Sequence, residues 1–268
     1  MNQQHIQIYI EEYLYHIIHF SGLSDHSQKA YASDLNQFKV FLSDSSIETD
    51  INDFTLMLKE YFQKLLNSNN LKPATIKRKF TVLHKFFNYL EQNHYLQPNP
   101  FHTFSFKLRQ EKSLPRVLQK QELSLLITTI RDRIPCLSPY HSLIAIRDLA
   151  IIDLLICTGM RIGEITRLTL QDYDSSTNTL LIKGKGHKER ILYISSTDVV
   201  DEMSRWLYHR SALTPKCDSF FINKYGNTFS IYGIENIFYK YRTLSKINIH
   251  ATPHYLRHTF ASDDTFAA

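Results

Sequence analysis

Two stretches of the first hundred residues carry apolar side chains at the spacing of a single α-helical face. In one, Tyr31, Leu35, Phe38 and Leu42 recur at intervals of 4, 3 and 4, behind Ser24 and Ser27 as capping residues. In the other, beginning after Pro73, the positions are Ile76, Phe80, Leu83, Phe87 and Leu90. Segments around 3–20 and 52–67 are helical in pattern too, so this part of the chain is expected to form a small four-helix unit. Lys72, Lys77, Arg78, Lys79 and Lys85 lie on or near the opposite face of the helix after Pro73. A solvated face and a phosphate-facing one fit them equally well.

The pattern breaks over residues 97–118, where Pro98, Pro100 and Pro115 interrupt it. The expected organisation is therefore a helical domain over 1–97, a linker over 98–117 and a second domain over 118–268. A chain of 268 residues is long enough for two domains. Charge divides in the same way. Residues 1–107 hold 10 Lys/Arg and 10 Asp/Glu, while 108–268 hold 21 and 16, so the net +5 lies in the second part. Residues 107–120 include Lys107, Arg109, Lys112, Arg116 and Lys120 against Glu111 alone. No run of 18 apolar residues occurs, which argues against a membrane span or a signal peptide. The 3 cysteines, Cys136, Cys157 and Cys217, have unrelated spacings and fit a reducing, cytoplasmic setting; they make neither a zinc site nor a disulfide framework.

In the second domain, helical stretches near 119–131 and 141–158 give way to a period of two. Thr179–Lys183 and Ile191–Ile194 flank a glycine-containing turn and read as a β-hairpin. Helical patterns return near 197–210 and 231–246. The expected class is mainly α with a small antiparallel sheet in the second domain.

Three short segments hold the residues with chemical potential. Glycine is scarce, 7 in all, and four of them fall in the first two segments. Thr158-Gly159-Met160-Arg161-Ile162-Gly163-Glu164 follows a long apolar helix; Gly159 reads as its terminator, and Arg161 and Glu164 are three apart on one face. By itself this is a surface ion pair. Lys183-Gly184-Lys185-Gly186-His187-Lys188-Glu189-Arg190 is a basic hairpin tip whose glycines permit close approach of a ligand, and solubilising turns look the same. In Thr252-Pro253-His254-Tyr255-Leu256-Arg257-His258-Thr259-Phe260, Pro253 suits the first turn of a helix, which puts His254 and Arg257 at i and i+3.

Taken in order, Arg-x-x-Glu, a Gly-Lys-Gly hairpin and His-x-x-Arg-His resemble the tyrosine recombinases, the family of phage integrases and bacterial chromosome-dimer resolvases. The resemblance spans most of the chain. It implies a two-domain DNA clamp, with a helical core-binding domain and an α+β catalytic domain on opposite sides of a duplex. Cutting a phosphodiester without metal or cofactor needs a nucleophile, charge stabilisation for the phosphoryl oxygens and a proton for the leaving oxygen. The resemblance assigns Arg161 and Arg257 to the phosphate, since a guanidinium donates two parallel hydrogen bonds. Lys185 becomes the general acid, His254 an aid to proton transfer, Glu164 the partner of Arg161 and His258 a supporting residue. Lys72, Lys77, Arg78, Lys112, Arg116, Lys183 and Lys188 are the expected DNA contacts. The implied partners are double-stranded DNA and three further copies in a homotetramer, with no membrane, metal or cofactor, in a bacterial or phage setting.

The final residues depart from the family pattern. Eleven residues follow Arg257, and none is the tyrosine that attacks phosphorus or the His or Trp that precedes it. The resemblance implies an incomplete catalytic domain, through frameshift, deletion or a shortened chain, with cleavage lost and multimers weakened. Two readings follow: a recombinase working through a phosphotyrosyl intermediate but deficient in cleavage as written, and a non-catalytic DNA-binding regulator or decoy on the same scaffold. A type IB topoisomerase, which has a similar pocket, is disfavoured by the short helical unit and basic linker.

Overall fold

The computed structural model describes residues 3–44, 54–68, 70–104, 117–184 and 188–262. The chain divides into two compact units, 1–112 and 113–268.

Four helices build the first unit: α1 (Gln3–Phe20), α2 (Asp25–Asp44), α3 (Phe54–Asn67) and α4 (Pro73–Gln92). The apolar stripes of α2 and α4 meet inside it, with Leu35, Phe38, Leu42, Leu83, Phe87 and Leu90 all buried. Pro73 opens α4, where a missing N–H costs nothing because no intrahelical acceptor exists for it. The core continues past α4. Asn99 donates to Asn88 and Glu91, and its side chain accepts from the Phe101 N–H, closing a short 3₁₀ turn. That turn seats Phe101 and Phe104 in the core, so 98–104, expected as linker, packs as part of the first unit. Aromatic rings favour such tilted contacts, and the Phe87 and Phe101 centroids stand 5.6 Å apart.

One expectation for α4 needs correction. Lys79 is not on the outer face: its side chain is 2% exposed, and its Nζ donates to Asp34 Oδ1 at 2.8 Å and Gln37 Oε1 at 2.6 Å on α2. A buried ammonium survives only with such partners.

The second unit holds α5 (Lys120–Arg131), α6 (Pro139–Thr158), the single turn α7 (Ile162–Ile165), strands β1 (Tyr173–Asp174), β2 (Thr179–Lys183) and β3 (Glu189–Tyr193), then α8 (Thr197–Arg210), α9 (Ile231–Ser245) and α10 (Pro253–Ser262). The sheet is antiparallel in the order β1-β2-β3. Its register pairs Leu180 with Leu192 and Ile182 with Arg190. α6 is the central element, buried on nearly every face. Two of its buried charged side chains are well partnered: Arg147 donates to Asp148 at 2.6 Å and to the Ile222 carbonyl at 3.2 Å, and the Tyr241 hydroxyl from α9 donates to Asp148 at 3.1 Å. Among the described residues, no helix is long and apolar enough to cross a membrane.

Candidate functional site

Everything that positions the site begins where α6 ends. Gly159 closes the helix in the left-handed region at φ +58°, and its N–H reaches back to the Leu155 carbonyl at 3.1 Å. This turn aims the Gly159 carbonyl out of the helix, where Arg257 Nη1 donates to it at 2.6 Å. Two residues on, Arg161 precedes the first turn of α7. Its backbone N–H donates to Glu164 Oε2 at 2.9 Å and its Nη1 to Oε1 at 3.1 Å. The i, i+3 spacing thus makes an ion pair, but an asymmetric one, with the Glu164 side chain 4% exposed and that of Arg161 61%.

Glu164 has a second and firmer partner. Arg190 of β3 donates Nη1 to Oε1 at 3.0 Å and Nη2 to Oε2 at 2.8 Å, a two-bond fork. Burial alone pushes the carboxyl's pKa up. The Arg190 hydrogen bonds, joined by those from Arg161, outweigh burial and hold it down at about 2. Glu164 is therefore a fixed anion shared by two arginines. The same fork raises the Arg190 guanidinium above its ordinary value.

α10 supplies the opposite wall. Pro253 begins the helix, and the Tyr255 N–H bonds the Thr252 carbonyl at 2.9 Å. Two ties hold this helix in place: Arg242 of α9 donates to the Ala251 carbonyl at 2.9 Å, and Thr259 Oγ1 accepts the Leu118 N–H at 2.9 Å. His254 and Arg257 then line one cleft of about 850 Å³ with Arg161, Glu164, Arg167 and Arg190. Burial lowers the Arg257 pKa, and so do the positive charges of Arg161 and Arg190, against the opposing pull of Glu164. Among the described residues, Arg161, Arg167, Lys188, Arg190 and Arg257 line the cleft against Glu164, Glu189 and Glu235, which leaves an excess of positive charge facing the opening. Such a site attracts an anion with several oxygens.

Of the residues singled out in the sequence, Arg161, Glu164, His254, Arg257 and Lys188 come together in this cleft. Lys183 does not line it; its Nζ donates to the buried Asp172 at 2.7 Å. Lys72, Lys77 and Arg78 are exposed on the first unit. Arg78 is engaged there with Asp34 at 2.6 Å and the Ala30 carbonyl at 3.3 Å. Lys185, Lys112 and Arg116 lie outside the described residues, as does the side chain of His258. Arg190 and Arg167 escaped sequence reasoning. The hairpin held a usable signal for Arg190. Residues directly opposite in an antiparallel pair share a face, so pairing with Ile182, which is buried, turns Arg190 toward the protein.

Both units have known counterparts. Residues 116–263 match the Phage integrase family, and residues 10–94 match the Phage integrase, N-terminal SAM-like domain. A tyrosine recombinase of Agathobacter rectalis is 31% identical over 258 residues, covering 96% of this chain and 83% of that protein. The tyrosine recombinase XerC of Syntrophus aciditrophicus is 31% identical over 255 residues, covering 90% and 79%. In fold, the chain is similar to the XerH site-specific recombinase bound to palindromic difH substrate in a post-cleavage complex, with a TM-score of 0.73 at 24% identity over 88% of this chain and 68% of that one. It is also similar in fold to a lambda integrase tetramer bound to a Holliday junction, with a TM-score of 0.71 at 14% identity over 97% and 69%. With both halves matched and relatives at this identity over nearly the whole chain, the protein belongs to the phage integrase family of tyrosine recombinases.

Proposed function

We propose that these 268 residues grip duplex DNA at a phosphodiester of a recombination site without forming a covalent link to it. The observation that carries the reading is the pairing of Arg161 and Arg257, from the start of α7 and from α10, on one cleft in which Glu164, the acid beside Arg161, is already held by Arg190. A guanidinium whose hydrogen bonds are not all committed stabilises the non-bridging oxygens of a phosphodiester, and two of them bracket it. His254 stands on the same wall for proton transfer. Lys185, on the hairpin between β2 and β3, is the general acid in this reading, and His258 supports the pocket. Residues 1–104 serve as the core-binding domain, 105–117 as a basic tether and 118–268 as the catalytic domain, holding opposite sides of the duplex. Lys72, Lys77, Lys112, Arg116 and Lys188 contact its backbone, while Arg78 and Lys183, expected beside them, are engaged with Asp34 and Asp172. Four copies assemble on DNA, as in the tetramer described for lambda integrase. The free cysteines fit a cytoplasmic location.

The described lining of the cleft supports the non-covalent part of this reading. Among the described residues none of its lining side chains is a tyrosine. Tyr255, which falls between His254 and Arg257, is buried at 9% exposure on the other side of α10. Among the described residues, then, the groups that can hold a phosphate there come without a tyrosine hydroxyl beside them. The same observation favours a second reading, a non-cutting regulator that occupies recombination sites. A nicked suicide duplex tests both: DNA should shift with the protein in a native gel, and no protein-linked band should survive a denaturing one. A surviving band would overturn the proposal and, once mapped, would name the tyrosine responsible.

A further inference from the structure

The Glu164 carboxylate has four lone-pair directions, and in this structure all four are filled. Oε1 accepts from Arg161 Nη1 at 3.1 Å and Arg190 Nη1 at 3.0 Å; Oε2 accepts from the Arg161 N–H at 2.9 Å and Arg190 Nη2 at 2.8 Å. Arg161 therefore gives the acid only one of its side-chain nitrogens and keeps the rest of its guanidinium available. A carboxylate beside an arginine with lone pairs to spare would take it in a two-bond fork, the preferred geometry of that pair. Such a fork would draw Arg161, whose side chain is exposed, down onto the nearly buried Glu164. The acid would then compete with any phosphate for the same donors.

We infer that Arg190 is a positioning residue which saturates Glu164 and so keeps Arg161 free for phosphate. The inference rests on the reading of this cleft as a phosphate site and adds to it a residue that acts through another. The anion cannot escape by protonation, because the hydrogen bonds that restrain it also keep it ionised at any pH above about 2. Nor is Arg190 well placed to grip the phosphate itself, since the edge that would make a two-bond fork, one N–H from each terminal nitrogen, is already on Glu164. Its delivery depends on the hairpin register, in which Arg190 faces Ile182. The strand whose neighbouring tip residues Gly184 and Lys188 also line the cleft thereby controls how much of Arg161 is offered.

Rescue separates this role from a direct contact or a purely structural one. Inorganic phosphate is titrated against the full 268-residue chain while the Arg161 side-chain N–H signals are followed by NMR. Arg190→Ala should weaken phosphate binding about tenfold, the size of one lost charge-assisted hydrogen bond. Glu164→Gln added to it should restore binding to within about twofold of Glu164→Gln alone, because a neutral amide no longer captures Arg161. If Arg190→Ala does not fold, Arg190→Lys carries the comparison: one ammonium cannot fill both oxygens, so binding should weaken severalfold and recover in the same way. An Arg190 variant that binds as the wild type does, or a double variant as weak as Arg190→Ala, overturns the inference. Arg257→Ala tells the two levels apart. If it weakens phosphate binding while Arg190→Ala does not, only the positioning role falls. If phosphate moves no Arg161 signal even in the wild type, the phosphate site falls as well.

Discussion

Glu164 and Asp153 are both almost fully buried carboxyls, and their surroundings send them in opposite directions. Glu164 has two arginines and sits at about 2, against an ordinary 4.5. Its contribution to stability is complete above the unfolded value and is lost as pH falls through the folded one, between about 4.5 and 2. Asp153 on α6 is raised from 3.8 to about 7, chiefly by burial and further by Glu202 and Asp198, while Arg131, 4.0 Å away, pulls it back. Here the folded state holds a proton that the unfolded chain has released, so stability should fall as pH climbs from about 4 to about 7. Asp153→Asn should therefore raise the thermal midpoint by several degrees at pH 7.5, with the gain shrinking toward zero near pH 4. A gain that does not change with pH would mean the carboxyl is not the cause. The two acids also mark what spacing reveals and what it hides. The Arg161–Glu164 pair was visible because i and i+3 lie on one face of a helical turn whatever surrounds them. Arg190 needed the β2–β3 register, and Asp153 sits on a helix so apolar all round that no pattern says which neighbour meets it.

At the scale of elements, the junction of α6 with α10 carries the site. A Cβ at Gly159 would lie 2.5 Å from the Phe260 ring of α10 while the residue holds φ +58°. The left-handed backbone alone costs an alanine roughly 1–2 kcal/mol, and the ring must shift as well. Because the Gly159 carbonyl anchors Arg257, Gly159→Ala should lower the thermal midpoint by several degrees and weaken phosphate binding together. Loss of stability with phosphate affinity unchanged would show that α10 holds Arg257 without this contact. Gly159 could be read as a helix terminator from its place after the apolar run of α6, and the hairpin from its change of period. The inward turn of Lys79 could not be read in this way. A lysine beside a stripe looks the same whether it faces water or Asp34, and only the docking of α2 on α4 decides.

For the molecule as a whole, residues 1–107 balance their charges while the rest carry the excess. Within the first unit even some of the exposed cations are spent on internal acids, as Arg78 is on Asp34. Phosphate contacts should therefore come mostly from the second unit and the basic stretch before it. Binding to duplex DNA releases about 0.9 counterion per phosphate neutralised, so six or more contacts would cost orders of magnitude in affinity between about 50 and 200 mM salt. Replacing Lys112 and Arg116 with glutamine should weaken binding equally on unrelated sequences and reduce the salt slope by about two. Replacing Lys77 with glutamine should change the slope by no more than about one. A flat salt response in the unaltered chain would refute backbone tracking altogether. A loss confined to one DNA sequence would instead make the 107–120 stretch a reader of bases, a role that a tether needing only to follow phosphates does not require.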